Sequence, residues 1–255
     1  GNSRTIWTEE MKLSRRLLAV AQMVPTGSIL CDVGCDHAYL PIYLIREKIC
    51  PQVIAMDVKE EPCRRAAANV EQAGLSDRIL LRRSDGLSAL KEGEADTVVL
   101  AGMGGALMRK ILEEGFAYDK GIRHLILEPQ SEVAALRKFL RMPGRGRRPG
   151  FFSIIDEKMV EENGHFYPVI ALEAKAEETP SQMEDSRLLA VMDAFGPVLL
   201  RKKDPVLKKF LQREERKAHS LLEELEKRAV REKRMRELTE ELAQIQLALS
   251  IVRDS

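Results

Sequence analysis

Residues 29–41, Ile-Leu-Cys-Asp-Val-Gly-Cys-Asp-His-Ala-Tyr-Leu-Pro, constrain the fold more than any other stretch of the chain. A mostly apolar run leads into Asp32-Val33-Gly34. A polar turn follows, and Tyr39, Leu40, Ile42, Leu44 and Ile45 then resume in a helix-like segment. This is the pattern of a buried strand, a tight glycine turn and a helix start. That geometry holds nucleotide-like cofactors at the carboxyl edge of a parallel sheet. The turn also discriminates among cofactors. A dinucleotide fingerprint requires glycine at positions 34 and 36 and again three residues later. Only Gly34 is present, and Asp36-His37 fills the rest. A pyrophosphate would meet a carboxylate where it needs bare N–H groups. S-adenosylmethionine (SAM) carries a sulfonium, an ammonium and no phosphate, so the turn favours it over NAD.

The flanking sequence predicts an α/β fold. Apolar strand candidates at Ser28–Val33, Val53–Asp57, Ile79–Leu81, Thr97–Ala101 and His124–Leu127 alternate with helix candidates at Tyr39–Arg46, Pro62–Ala73, Ala106–Glu114 and Glu132–Arg141. Strands without polar alternation, separated by helices, predict a parallel sheet covered on both faces. Phe151–Val160 and His165–Leu172 flank an Asn163-Gly164 turn and predict an antiparallel hairpin. A parallel sheet finished by an antiparallel strand is the Rossmann-like class I SAM methyltransferase pattern. An amphipathic helix precedes this region between Met11 and Met23.

Composition changes beyond Glu173. Lys175–Gln182 reads as a linker and Leu188–Leu200 as a helix. From Pro205 the chain is rich in Glu, Lys, Arg and Leu. Met235, Leu238, Leu242, Ile245, Leu249 and Val252 recur at coiled-coil spacing. The register breaks across Arg231–Arg234, which predicts either a helical hairpin or a skip in one long helix. The expected division is a methyltransferase domain over 11–175 and a helical coiled-coil module over 180–255. The seam fits packing within the chain or between chains, so a monomer or weak dimer is expected.

The net charge of +1 does not announce a nucleic-acid binder, but its distribution is uneven. Residues 137–148 carry Arg137, Lys138, Arg141, Arg145, Arg147 and Arg148 with no acid. Residues 201–217 carry eight basic and three acidic side chains. Both stretches are candidate phosphate contacts, or else solvated faces. Cys31, Cys35, Cys50 and Cys63 match no common zinc spacing and read as reduced, buried thiols. No metal constellation, membrane-length apolar run or signal-peptide pattern is evident, which predicts a cytoplasmic protein without a metal.

Several residues carry candidate chemistry. Asp57 ends the second strand, where a carboxylate takes hydrogen bonds from ribose hydroxyls. Asp85-Gly86 follows the third strand and is placed to accept from an adenine amine, or to make a plain turn. Ala101-Gly102-Met103-Gly104-Gly105 follows the fourth strand, where glycines let a flat base approach the backbone and Met103 can pack on it. Glu128-Pro129-Gln130 follows the fifth strand, with an amide able to read a base edge. Of the four histidines only His37, beside Asp36, lies where chemistry is expected.

Taken together, Leu13-Ser14-Arg15-Arg16-Leu17, Asp36-His37-Ala38-Tyr39-Leu40-Pro41, Ala101-Gly102-Met103-Gly104-Gly105 and Leu125-Ile126-Leu127-Glu128-Pro129-Gln130 resemble the bacterial tRNA (adenine-N1)-methyltransferases that modify adenine 22. The resemblance spans roughly residues 11–173. It departs at Glu128-Pro129-Gln130, where the family more often has Gln-Pro-Asn. It implies a Rossmann-like domain with a helical module, SAM as cofactor and tRNA as partner. The cofactor contacts expected are Asp32, Gly34, Asp57, Val58, Asp85, Gly86, Ala101 and Gly102. Asp36, His37, Met103 and Gly104 are expected at the reacting centre. Arg15, Arg16, Tyr39, Gln130, Arg145, Arg147 and Arg148 are expected against the substrate. Adenine N1 has an in-plane lone pair, so alignment rather than a strong base is the main task. The alternatives are a SAM methyltransferase of another RNA or a small molecule, and a non-catalytic RNA-binding protein that keeps the fold.

Overall fold

The architecture is taken from a computed structural model, which describes residues 12–115, 117–142, 152–175, 185–227 and 232–253. One seven-stranded sheet organises the chain. Its strands are β1 (Ile29–Val33), β2 (Gln52–Asp57), β3 (Ile79–Arg83), β4 (Thr97–Met103), β5 (His124–Pro129), β6 (Phe152–Glu162) and β7 (His165–Ala174). They lie in the order β3-β2-β1-β4-β5-β7-β6. β1 to β5 are mutually parallel, β7 runs antiparallel to β5, and β6 pairs antiparallel with β7. The predicted sheet, with its terminal hairpin, is the one observed. Order reverses between β1 and β4, and a doubly wound sheet opens its ligand crevice at such a switch point.

Strand alternation divides the core in two. Leu30, Val53, Ala55, Val99 and Ile126 face one way, onto α1 (Arg15–Met23), α2 (Tyr39–Arg46) and α3 (Glu60–Gln72). Cys31, Val33, Met56, Leu100 and Leu127 face the other, onto α4 (Gly105–Gly115) and α5 (Val133–Arg141). Both faces are dry, which is why these strands lack polar alternation. The first helix starts later than Met11, because Ser14 caps it by accepting from Leu17 N–H at 3.2 Å.

The C-terminal region corrects one prediction. Leu188–Leu200 is not one helix but two, α6 (Ser186–Phe195) and α7 (Pro197–Arg201). Gly196 at φ +96° ends the first, and Pro197 starts the second without needing its missing N–H. α8 (Pro205–Lys227) and α9 (Glu232–Val252) follow. The N-terminal half of α8 (Leu207, Leu211) shares a core with the C-terminal half of α9 (Ile245, Leu249, Val252), so the two run antiparallel. This decides the register break in favour of a helical hairpin. Met159 of β6 belongs to the same core, and Phe166 of β7 packs against it. The helices thereby pack against the terminal β6–β7 hairpin of the sheet.

Candidate cofactor and substrate cleft

The cleft is built by loops at the carboxyl ends of β1, β2, β3, β4 and β5. After β1 the chain turns through Gly34, Asp36 and Ala38, all at positive φ (79°, 46° and 60°). A side chain on Gly34 would be strained there, and its Cβ would sit 3.2 Å from Met103 Cε. The turn therefore packs directly under Met103, the last residue of β4. Gly34 and Cys35 both donate to Met56 O, at 2.8 and 3.0 Å, which ties the turn to β2. Asn69 of α3 donates to His37 O at 2.8 Å and fixes its far side.

Two carboxylates stand at this edge. Asp57 accepts from Lys59 N–H at 3.2 Å and keeps acceptor capacity for a diol. Asp32 is only 5% exposed, and among the described residues no hydrogen bond reaches its carboxylate. Burial first, and the nearby Asp57 charge second, push its carboxyl up to about 7. A buried acid without a partner is matched to a cationic ligand group, and the ammonium of SAM is one. Val58 beside Asp57 is 50% exposed, an apolar surface left at the cleft. Past β3, Ser84 Oγ accepts from Ala89 N–H at 3.1 Å and donates to Gly86 O at 2.8 Å. That turn leaves Asp85 exposed, with Gly86 at φ +54°. These residues fit SAM: a carboxylate for its ammonium, a diol acceptor, an apolar surface and an exposed acceptor.

The end of β4 and the turn into α4 are held from beside and behind. A Cβ on Gly105 would meet Ser131 O at 2.7 Å and Glu132 O at 2.8 Å, and one on Gly104 would meet Ser131 Oγ at 2.8 Å. Glycine is required here by close backbone approach. Glu128, fully buried at the end of β5, accepts from Gly102 N–H at 2.7 Å and from Arg16 Nη1 at 2.9 Å. Gln130 Nε2 donates to its other oxygen at 2.8 Å. Arg16 also lies over the Tyr167 ring at 5.8 Å.

A family profile described as a methyltransferase domain matches residues 13–170. The tRNA (adenine(22)-N(1))-methyltransferase of Bacillus subtilis is 33% identical over 243 residues, 95% of this chain and 98% of that protein. The chain belongs to this methyltransferase family. The crystal structure of the B. subtilis m1A22 tRNA methyltransferase has a TM-score of 0.76 at 32% identity, over 94% of this chain and 99% of that one. A Streptococcus pneumoniae protein assigned as a tRNA (m1A22) methyltransferase, solved with S-adenosyl-L-methionine, has a TM-score of 0.77 at 34% identity. It covers 93% of this chain and 100% of that one.

Within this family member several residues expected at the reacting centre or against the substrate have other partners. Gln130 does not project as a free amide, because Glu128 holds it. Asp36 is 61% exposed and pairs with Arg65 at 3.2 Å, so its charge is partly spent at the rim. His37 lies parallel to Tyr39, ring centroids 5.1 Å apart, and presents a stacked pair beside the cleft. Arg15 engages Glu162 through its backbone N–H at 2.7 Å and leaves its side chain exposed. Arg145, Arg147 and Arg148 lie outside the described residues.

The basic stretches are also corrected. Arg137 is buried in an ion pair with Glu157 at 2.8 Å, and Arg141 pairs with Asp193 at 2.7 Å. Both arginines of α5 therefore dock the C-terminal helices and do not face a phosphate. In the second stretch Lys202 pairs with Asp156, Lys209 pairs with Glu161, and Arg213 lies over Phe166 at 4.4 Å. Arg201, Lys203 and Arg216 make no ion pair among the described residues. The acidic partners come from distant segments, so no local charge count reveals them. Glu128 was visible only as a departure from the family's usual amide, and nothing local signals its burial.

Proposed function

We propose that the chain methylates N1 of adenine 22 in tRNA, with S-adenosylmethionine as methyl donor. It is a SAM-dependent methyltransferase, and the observation that carries the residue-level reading is the unpartnered, buried Asp32 beside Asp57 at the switch point. Asp32 meets the cofactor's ammonium, Asp57 its ribose, Val58 its adenine face and Asp85 the exocyclic amine. The Gly34, Gly86, Ala101 and Gly102 backbones bound the cofactor. SAM supplies an electrophilic methyl group on a sulfonium. Met103 and Gly104 shape the space where adenine N1 must line up with that methyl, and alignment is the main contribution. The stacked His37–Tyr39 pair offers a face for the base. Arg15 keeps an exposed side chain for the substrate, while Arg16 reaches the site through its bond to Glu128. Asp36 and His37 are the titratable groups available to a proton leaving the product. Residues 11–175 act as the methyltransferase domain and 180–255 as the tRNA-binding arm. A bacterial tRNA enzyme of this kind works in the cytoplasm, as a monomer or weak dimer.

The test is methyl transfer from labelled SAM to an unmodified tRNA transcript with adenine at position 22, against the same transcript with guanine there. Transfer to the adenine transcript alone is expected. Equal transfer to both removes the site assignment, and no transfer to either removes the tRNA reading.

A further inference from the structure

Glu128 is the least exposed acid in the cleft and has no direct route to a substrate, being 0% exposed. Its carboxylate nonetheless makes the densest set of contacts there. It takes the Gly102 N–H at 2.7 Å, the Arg16 guanidinium at 2.9 Å, and the Gln130 amide on both oxygens, at 2.8 and 3.2 Å. Burial raises its pKa, while Arg16, Gly102 N–H and Gln130 act to keep it ionised. Removing such a group is costly in a way that burying an apolar residue is not. Each partner links a different element to the end of β4: Arg16 is in the first turn of α1, and Gln130 N–H donates back to Met103 O at 2.9 Å.

The decisive partner is the Gly102 amide. A trans peptide aligns its N–H and the preceding C=O in opposite directions. Fixing Gly102 N–H on Glu128 therefore fixes the Ala101 carbonyl to point away from Glu128. Gly102 sits at φ +75°, and a Cβ there would lie 3.5 Å from Arg16 Nη1, so the arginine closes over the back of the same peptide. We propose that Glu128 is a positioning residue for methyl transfer: by clamping Gly102 N–H and Arg16, it aims the Ala101 carbonyl as the acceptor for the N6 amine of the target adenine. This rests on the adenine-N1 reading given above. In the step itself, the N1 lone pair forms the new N–C bond. The C–S bond breaks with its electron pair going to sulfur, and the positive charge passes from sulfonium to the adenine ring and its amine. An acceptor already aimed at N6–H stabilises that charge as it develops, without reorganisation. The amine proton leaves afterwards, to solvent directly or by way of Asp36 and His37.

The test uses the full chain as wild type, Glu128→Gln and Glu128→Leu. Two tRNA transcripts are compared, one with adenine at position 22 and one with purine riboside, which lacks the N6 amine. Because the Ala101–Gly102 backbone also bounds the cofactor, SAM affinity is measured by calorimetry on each variant and transfer is read at saturating SAM; oriented donors and acceptors of this kind change kcat by about a hundredfold. Part of the wild-type preference for adenine is intrinsic to the base, so the change in preference between proteins is the readout. Glu128→Leu is expected to slow single-turnover transfer on adenine by about a hundredfold and on purine far less, with the tRNA KM unmoved. Glu128→Gln keeps an oxygen for Gly102 N–H and is expected to recover part of the preference. If Glu128→Leu fails to bind SAM, a partial loss confined to adenine in Glu128→Gln carries the same meaning. Equal slowing on both transcripts, or an unaltered preference, overturns the proposal. A wild-type protein that leaves the adenine transcript unmethylated refutes the functional reading instead.

Discussion

At the scale of single residues the cleft is governed by where carboxylates are left without partners. Asp32 and Glu128 are both buried acids on strand ends, yet they differ in role. Glu128 is saturated with donors from its own chain, whereas Asp32 has none among the described residues. The pH behaviour follows. With its carboxyl held at about 7, Asp32 is largely protonated below neutrality in the free protein. A cationic ligand needs the ionised form, so SAM affinity should rise between pH 6 and 8 and binding should release a proton. Calorimetry in buffers of different ionisation enthalpy reads that proton, and Asp32→Asn should abolish both the slope and the release. The linked stability has the opposite sense. A folded pKa above the ordinary 3.8 means the folded state holds the proton more tightly. That contribution is complete below 3.8 and is lost as pH rises through about 7. Asp32 and Asp57 were legible as strand-end acids. Asp32's isolation was not, because it depends on what packs beside it.

At the scale of elements the junction between α5, β6 and the C-terminal helices is ionic where a hydrophobic seam would be ordinary. Arg137 Nε donates to Glu157 at 2.8 Å, and its Nη1 donates to the Asp193 and Ala194 carbonyls that end α6. Glu157 then accepts from Val198 N–H at 2.8 Å and Leu199 N–H at 3.3 Å, capping α7. Gly196 is required between them: a Cβ there would lie 2.7 Å from Glu157 Oε2 and 3.0 Å from Arg137 Nη2. Because the pair is buried, its value lies in specifying one docking geometry more than in net stability. Glu157→Gln keeps an acceptor for the α7 cap but leaves the Arg137 charge buried and uncompensated. It should destabilise the protein by about 3–5 kcal/mol, read as a lowered urea midpoint. A loss below about 1 kcal/mol would mean that Arg137 finds water or another acceptor.

At the scale of the whole molecule, the proposed contact with RNA falls to the charges left over after docking. Arg201, Lys203 and Arg216 remain on the surface of the helical module, while Lys202, Lys209 and Arg213 are engaged with the β6–β7 hairpin. Binding of tRNA should weaken steeply with salt, each neutralised phosphate contributing about 0.7–0.9 to the log–log slope. Changing Arg201, Lys203 and Arg216 together to Glu should lower tRNA affinity and flatten that slope by about 2–3, with SAM affinity unaffected. An unchanged slope would place the RNA elsewhere. The sheet, the cofactor turn and the hairpin were legible because each depends on local periodicity and on residues such as Gly34 and Asn163-Gly164, whose backbone needs are set within a few positions. The same holds for the break between α8 and α9. Tertiary structure alone decided the fate of the charges. Arg137 reads like Arg201 in a linear sequence, but one is buried against Glu157 and the other faces solvent. Burial and pairing join residues far apart in the chain, and the energy of a charge depends on that environment rather than on its neighbours in sequence.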